Sequence, residues 1–124
     1  MPVVGIGGVF FRANDPDALQ EWYRTHLGIT TPLWVQQEGP TVFIPFPADS
    51  DYFPAAKQWM INLRVRELDA LLESLRAAGI AVTTNPEWDT PETGRFARID
   101  DPEGNPLELW EPPADAAHSG WKPL

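Results

Sequence analysis

The sequence predicts an α+β domain made of two βαβββ modules, and three observations carry that expectation. First, a strand–helix–strand order runs from about residue 3 to residue 46 and restarts from about residue 58 to residue 112. Second, residues 8–26 and 60–78, offset by 52 positions, share six identities in nineteen: Arg12/Arg64, Asp17/Asp69, Ala18/Ala70, Leu19/Leu71, Glu21/Glu73 and Arg24/Arg76. Third, both helix candidates stop at a glycine, Gly28 and Gly79, which match after a one-residue slip. A period near 50 residues marks an internal repeat.

Taken in order, "VVGIGGVFFRA" is β-branched and aromatic and reads as a strand. "NDPDALQEWYRTHLG" reads as a helix, with Asn14 or Asp15 as cap, Pro16 in the first turn and Gly28 beyond its end. "LWVQQ" and "TVFIPF" are short strand candidates joined by Gly39 and Pro40, and "PADSDYFPAAKQ" is a loop. The second half repeats the order: "WMINLRV" a strand, "ELDALLESLRAAG" a helix and "IAVTT" a short strand. "NPEWDTPETG" is a loop, "RFARID" a strand, "DPEGN" a turn and "PLELWE" the closing strand. One domain over residues 1–113 is expected, with an irregular tail from 114 to 124 that could lay Trp121 over the body.

Length and composition limit the function classes. A chain of 124 residues is long enough for one real core. A net charge of -9 argues against nucleic acid or an anionic membrane surface as partner. No stretch approaches the roughly 20 apolar residues of a membrane span, and "MPVVGIGG" lacks the basic and apolar regions of a secretory signal. A cytoplasmic protein is therefore expected. With no cysteine there are no disulfides, thiolate ligands or cysteine nucleophiles. "GIGG" lacks the spacing and following helix of a phosphate loop.

With "DPDALQEWYRTHLGI", "NLRVRELDALLESLRAAGI" and "DPEGNPLEL" in place, the chain resembles the vicinal oxygen chelate superfamily from Val3 to Pro112. That superfamily includes glyoxalase I, extradiol dioxygenases, and fosfomycin- and bleomycin-resistance proteins. The resemblance implies a curved mixed sheet around a cavity, completed within one chain or across a dimer, and a homodimer is expected. It also implies a divalent metal held by His and Glu residues from the strands.

The implied ligand positions depart from that pattern. The first, often His, falls on Gly8, and its counterpart in the second module on Met60. The strand near Val42–Phe46 carries no donor, so only the closing-strand carboxylate, Glu108, is retained. Glycine and valine offer nothing to a metal, and a thioether is too soft for Zn or Mn beside a carboxylate. His26, near the end of the first helix, and His118, in the tail, do not replace the missing donors. No cofactor is expected, and a divalent metal is disfavoured.

Strand alternation places Met60, Asn62 and Arg64 on the cavity face, and by the repeat Gly8, Phe10 and Arg12 as well. Glu108 shares its face with Pro106 and Trp110. Phe10, Arg12, Met60, Asn62, Arg64 and Trp110 are thus the ligand-binding candidates and Glu108 the catalytic one, an apolar wall with a few polar groups. Each also has a structural role open to it: Glu108 paired with Arg64 or Arg12, Phe10 and Trp110 as filler, Gly8 allowing close backbone approach beside Gly5 and Gly7. Two functions stand open. One is metal-free binding of a hydrophobic or aromatic small molecule, in the manner of bleomycin-resistance proteins. The other is glyoxalase-type lyase, isomerase or dioxygenase chemistry on Glu108, metal-free or with a non-standard metal site.

Overall fold

The computed structural model describes residues 2–114. The expected tail, with His118 and Trp121, lies outside the described residues. Helix α1 spans Pro16–Leu27 and helix α2 Leu68–Ala77. Strands β1 (Ile61–Arg64), β2 (Arg95–Asp100) and β3 (Pro106–Glu111) form one small mixed sheet in the order β1-β3-β2. β1 runs parallel to β3, with Asn62 opposite Glu108, and β2 runs antiparallel to it, with Arg98 opposite Glu108. The sheet is open, so the fold is a small α+β domain.

The two helices keep the register of the repeat, starting 52 positions apart at Pro16 and Leu68. Asp15 caps α1, its Oδ1 accepting from the Ala18 N–H at 3.1 Å, and Gly28 closes it in the left-handed region at φ 68°. The cap of α2 comes from elsewhere. Glu67 makes no side-chain capping bond, and the Glu111 carboxylate on β3 accepts the Leu68 N–H at 2.9 Å. A carboxylate at a helix N-terminus satisfies an orphan donor and complements the dipole.

Both helices cover the same face of the sheet. Leu19 and Tyr23 from α1 and Leu68, Leu72 and Leu75 from α2 pack on Ala97, Ile99, Leu107 and Leu109. Ile61, Leu63 and Val65 join from β1, as strand alternation predicts. Truncating one such leucine to alanine costs about 2–5 kcal/mol. The opposite face carries Asn62 and Arg64, Phe96 and Arg98, and Pro106, Glu108 and Trp110.

The turn "DPEGN" does more than reverse the chain. The buried Asp101 carboxylate accepts the N–H groups of Glu103 (2.9 Å) and Asn105 (3.0 Å) and the Asn105 amide (2.8 Å). It also accepts the Tyr23 hydroxyl at 2.6 Å, and Glu103 takes the N–H groups of Asn14 (2.6 Å) and Asp15 (3.0 Å). The closing hairpin thereby holds the start and the middle of α1.

The first half departs from expectation. Among the described residues no strand precedes Ile61, so "VVGIGGVFFRA", "LWVQQ" and "TVFIPF" remain irregular. "IAVTT" is reduced to a single bridge between Thr83 and Arg98, and "NPEWDTPETG" contains a 3-10 turn at Pro86–Trp88. Alternation marks a segment able to form a strand, but a strand also needs a neighbour for its N–H and C=O groups. The first-half segments have none, and Val3, Val4, Phe10, Leu33, Val35 and Phe43 stand exposed.

Candidate functional site

Glu108 lies at the centre of the face opposite the helices, because the middle strand β3 alternates Leu107 and Leu109 inward and Glu108 outward. It is only 8% exposed. A carboxylate so buried needs hydrogen-bond donors. Asn62, its partner on parallel β1, donates an amide N–H to Oε1 at 2.7 Å. Tyr52, from the loop between residues 47 and 60, donates its hydroxyl to Oε2.

Arg98 completes the cluster from the antiparallel side. Its guanidinium lies 4.8 Å from the centroid of the Tyr52 ring and donates to the Tyr52 carbonyl at 3.0 Å. Its Nε–H is buried without a partner among the described residues. A cation over a tyrosine face contributes about 0.5–2 kcal/mol, more as water is excluded. Burial first, and the Glu108 carboxylate second, push the Tyr52 hydroxyl up to about 12, against a smaller opposing effect of Arg98. Tyr52 therefore keeps its proton at neutral pH and acts as a hydrogen-bond donor.

The cluster gathers some of the expected residues and leaves others apart. Asn62 and Glu108 meet directly. Arg64 is turned away, donating to the Gln37 carbonyl at 3.0 Å, and the Arg12 side chain is exposed. Among the described residues neither expected arginine bonds Glu108; the nearby cation is Arg98, opposite it on β2. Trp110 is 1% exposed, stacked on Phe96 at 6.3 Å, with its indole N–H donated to the Thr93 carbonyl at 2.7 Å. It supports the sheet face from within. Phe10 is 95% exposed and its ring lies against Gly8, while Met60 is half-buried just before β1. His26 packs on Trp22 in α1.

Two residues escaped the sequence reading. Arg98 was within reach: a hairpin centred on Glu103 pairs Asp100 with Pro106, and so Arg98 with Glu108. Tyr52 was not, because it comes from an irregular loop 56 positions away.

The donor set does not suit a metal. Among the described residues no three His, Cys, Asp or Glu side chains converge. Glycine stands at position 8 and methionine at position 60, and Glu108 is the one carboxylate in the cluster with Asn62 and Tyr52. A separate groove of about 240 Å³ lies beside α2, between Leu72, Asn85 and Phe96. Its acids, Asp69 and Asp89, are engaged by Arg95.

Residues 8–110 match the family model described as a glyoxalase-like domain. The chain belongs to that family, within the vicinal oxygen chelate superfamily that the sequence resembles. Among solved structures it is similar to TnmS3, an antibiotic binding protein from Streptomyces sp. CB03234. The two share 25% identity, with 90% of this chain and 98% of that one covered and a TM-score of 0.60. A glyoxalase/bleomycin resistance protein from the same organism shares 27% identity over 79% of this chain and 92% of its own, with a TM-score of 0.49. A member of the glyoxalase/bleomycin resistance protein/dioxygenase superfamily from Sphaerobacter thermophilus DSM 20745 shares the fold at 20% identity, covering 90% and 99% of the two chains with a TM-score of 0.56. No curated protein matches the chain.

Proposed function

We propose that this protein binds a small hydrophobic or aromatic molecule on the sheet face around Glu108, without a resident metal. The observation that carries the reading is the Glu108 cluster itself. A buried carboxylate, an amide, a phenol and a guanidinium converge on the face that the helices leave uncovered. That is a small set of placed polar groups beside apolar surface, the usual make-up of a small-molecule site. The 25% identity to an antibiotic binding protein over 90% of the chain supports the same class of function. The residues at the superfamily's metal positions support a site that works without one. Arg98 and Asn62 orient the ligand, and Glu108 accepts its hydrogen bond.

Metal-free acid–base chemistry on Glu108 is the second reading. One observation favours it: a carboxylate hydrogen-bonded to a phenol can pass a proton to or from a bound molecule. The binding reading is preferred because it needs only the groups already converged.

On this reading the described face is one wall of the site, and a second copy of the chain supplies the rest. Among the described residues, every exposed large apolar side chain except Trp59 lies between Val3 and Phe46, the stretch whose strand-forming segments lack neighbours. So many exposed apolar side chains suit an interface, and pairing with another copy would satisfy the backbone of these segments. A thermal-shift screen of aromatic compounds on wild type and Glu108→Gln tests the binding reading. Compounds that stabilise the wild type should lose most of their effect on the variant; equal stabilisation of both would overturn it.

A further inference from the structure

Within the proposed binding site, Tyr52 has an unusual position. Glu108, Asn62 and Arg98 sit on strands locked by the ladder, whereas Tyr52 is carried by a loop with no helix or strand of its own. Within its own loop its ties are few: its N–H donates to Ser50 Oγ at 3.2 Å and its ring meets Phe46 at 5.6 Å, while its carbonyl accepts from Arg98 on β2 at 3.0 Å. Such loops open more readily than ladder strands. Yet this side chain supplies one of the two donors to the buried carboxylate and the ring beneath the guanidinium.

We propose that the site takes a hydroxy-aromatic ligand, and that Tyr52 holds the ligand's place until it is displaced. A phenol brought by the ligand donates to Glu108 Oε2 as Tyr52 does, and its ring lies under Arg98 as the tyrosine ring does. The exchange keeps both donors on Glu108 and a ring under Arg98, and with only the Tyr52 side chain swung out its carbonyl keeps the Arg98 bond. An aromatic molecule without the hydroxyl would leave Glu108 with Asn62 alone. The penalty for an unmet buried acceptor corresponds to roughly ten- to hundredfold in affinity. Arg98 also keeps its buried Nε–H unspent, a donor for a second ligand oxygen once Tyr52 has moved.

The inference rests on the Glu108 face being the binding site, and its test separates the two. The probe is 4-methylphenol, the tyrosine side chain cut at Cβ, with toluene as the control lacking the hydroxyl. Binding is measured by calorimetry or ligand-detected NMR on wild type, Tyr52→Gly and Tyr52→Phe, with circular dichroism confirming the fold. 4-Methylphenol should bind Tyr52→Gly at least tenfold more tightly than wild type, and there tenfold or more better than toluene. Should Tyr52→Gly not fold, Tyr52→Phe decides. Its ring stays under Arg98 without the bond to Glu108, so 4-methylphenol should again bind more tightly than to wild type. Equal affinity for 4-methylphenol and toluene, or no gain from either substitution, overturns the inference. If that happens while screening hits remain sensitive to Glu108→Gln, the phenol inference falls and the binding site stands.

Discussion

Tyr23→Phe tests how the two halves of the chain are joined. The Tyr23 hydroxyl bonds the buried Asp101 carboxylate at 2.6 Å, tying α1 to the turn between β2 and β3. Removing it leaves Asp101 its three bonds from within the turn, and the phenylalanine ring keeps its edge contacts with Phe11 and Trp22. The loss is therefore one hydrogen bond to a charged group, about 1.5–3 kcal/mol. For a chain of this length that lowers Tm by roughly 5–12 °C. Urea unfolding at pH 7 should show a lower midpoint with an unchanged slope, because the surface exposed on unfolding does not change. A loss under about 0.5 kcal/mol, the usual scale of surface substitutions, would refute the claim that this bond anchors α1. Ligand affinity should not change, because Tyr23 lies on the helix side of the sheet and Glu108 on the other.

Three further outcomes follow from the same structure. The chain has only two tyrosines, and burial holds both hydroxyls above their ordinary range. Tyrosinate absorbance of the folded protein should thus stay low at pH 10, where the urea-unfolded chain is half ionised. Both folded values are raised, so their contribution to stability is complete below pH 10. The Tyr52 share is lost between about pH 10 and 12; normal titration of both tyrosines in the folded state would contradict their burial. Protein purified without added metal and dialysed should carry no stoichiometric Zn, Ni, Mn or Fe by elemental analysis, and one retained equivalent would overturn the metal-free reading. Sedimentation at tens of micromolar, an order-of-magnitude range that detects weak dimers, should give a homodimer; a monomer there would leave the apolar stretch of residues 3–46 unexplained.

What could be read from the sequence depended on how local each determinant was. α1 and α2 were predicted to within a residue or so, because apolar spacing, terminating glycines and, for α1, the Asp15 cap all act within a few turns. The closing hairpin was as clear, with Pro106–Glu111 matching the expected strand "PLELWE". Alternation also placed Asn62 and Glu108 on one face. Reach across the fold was not readable. Tyr52 meets Glu108 through a loop whose path no pattern encodes, and Asp101 looked like a turn residue although it also receives Tyr23 from a helix 78 positions away. The first-half segments carry strand-forming residues, but pairing is a property of two segments, and the partner segment is not written in either one. Trp110 shared the expected face, yet a neighbouring Phe96 and the Thr93 carbonyl buried it.

The most direct test of the central claim is calorimetric titration of the strongest stabilising compound from the screen into wild type and Glu108→Gln at pH 7. The substitution is nearly isosteric and keeps an oxygen for Asn62, so the fold should survive. If Glu108 receives the ligand, replacing a charged acceptor by a neutral one weakens binding by roughly tenfold or more while the unliganded variant still melts as one cooperative unit. Unchanged affinity, with or without a fall in Tm, would make Glu108 a structural acceptor for Tyr52 and Asn62 and remove the basis for placing the ligand on this face.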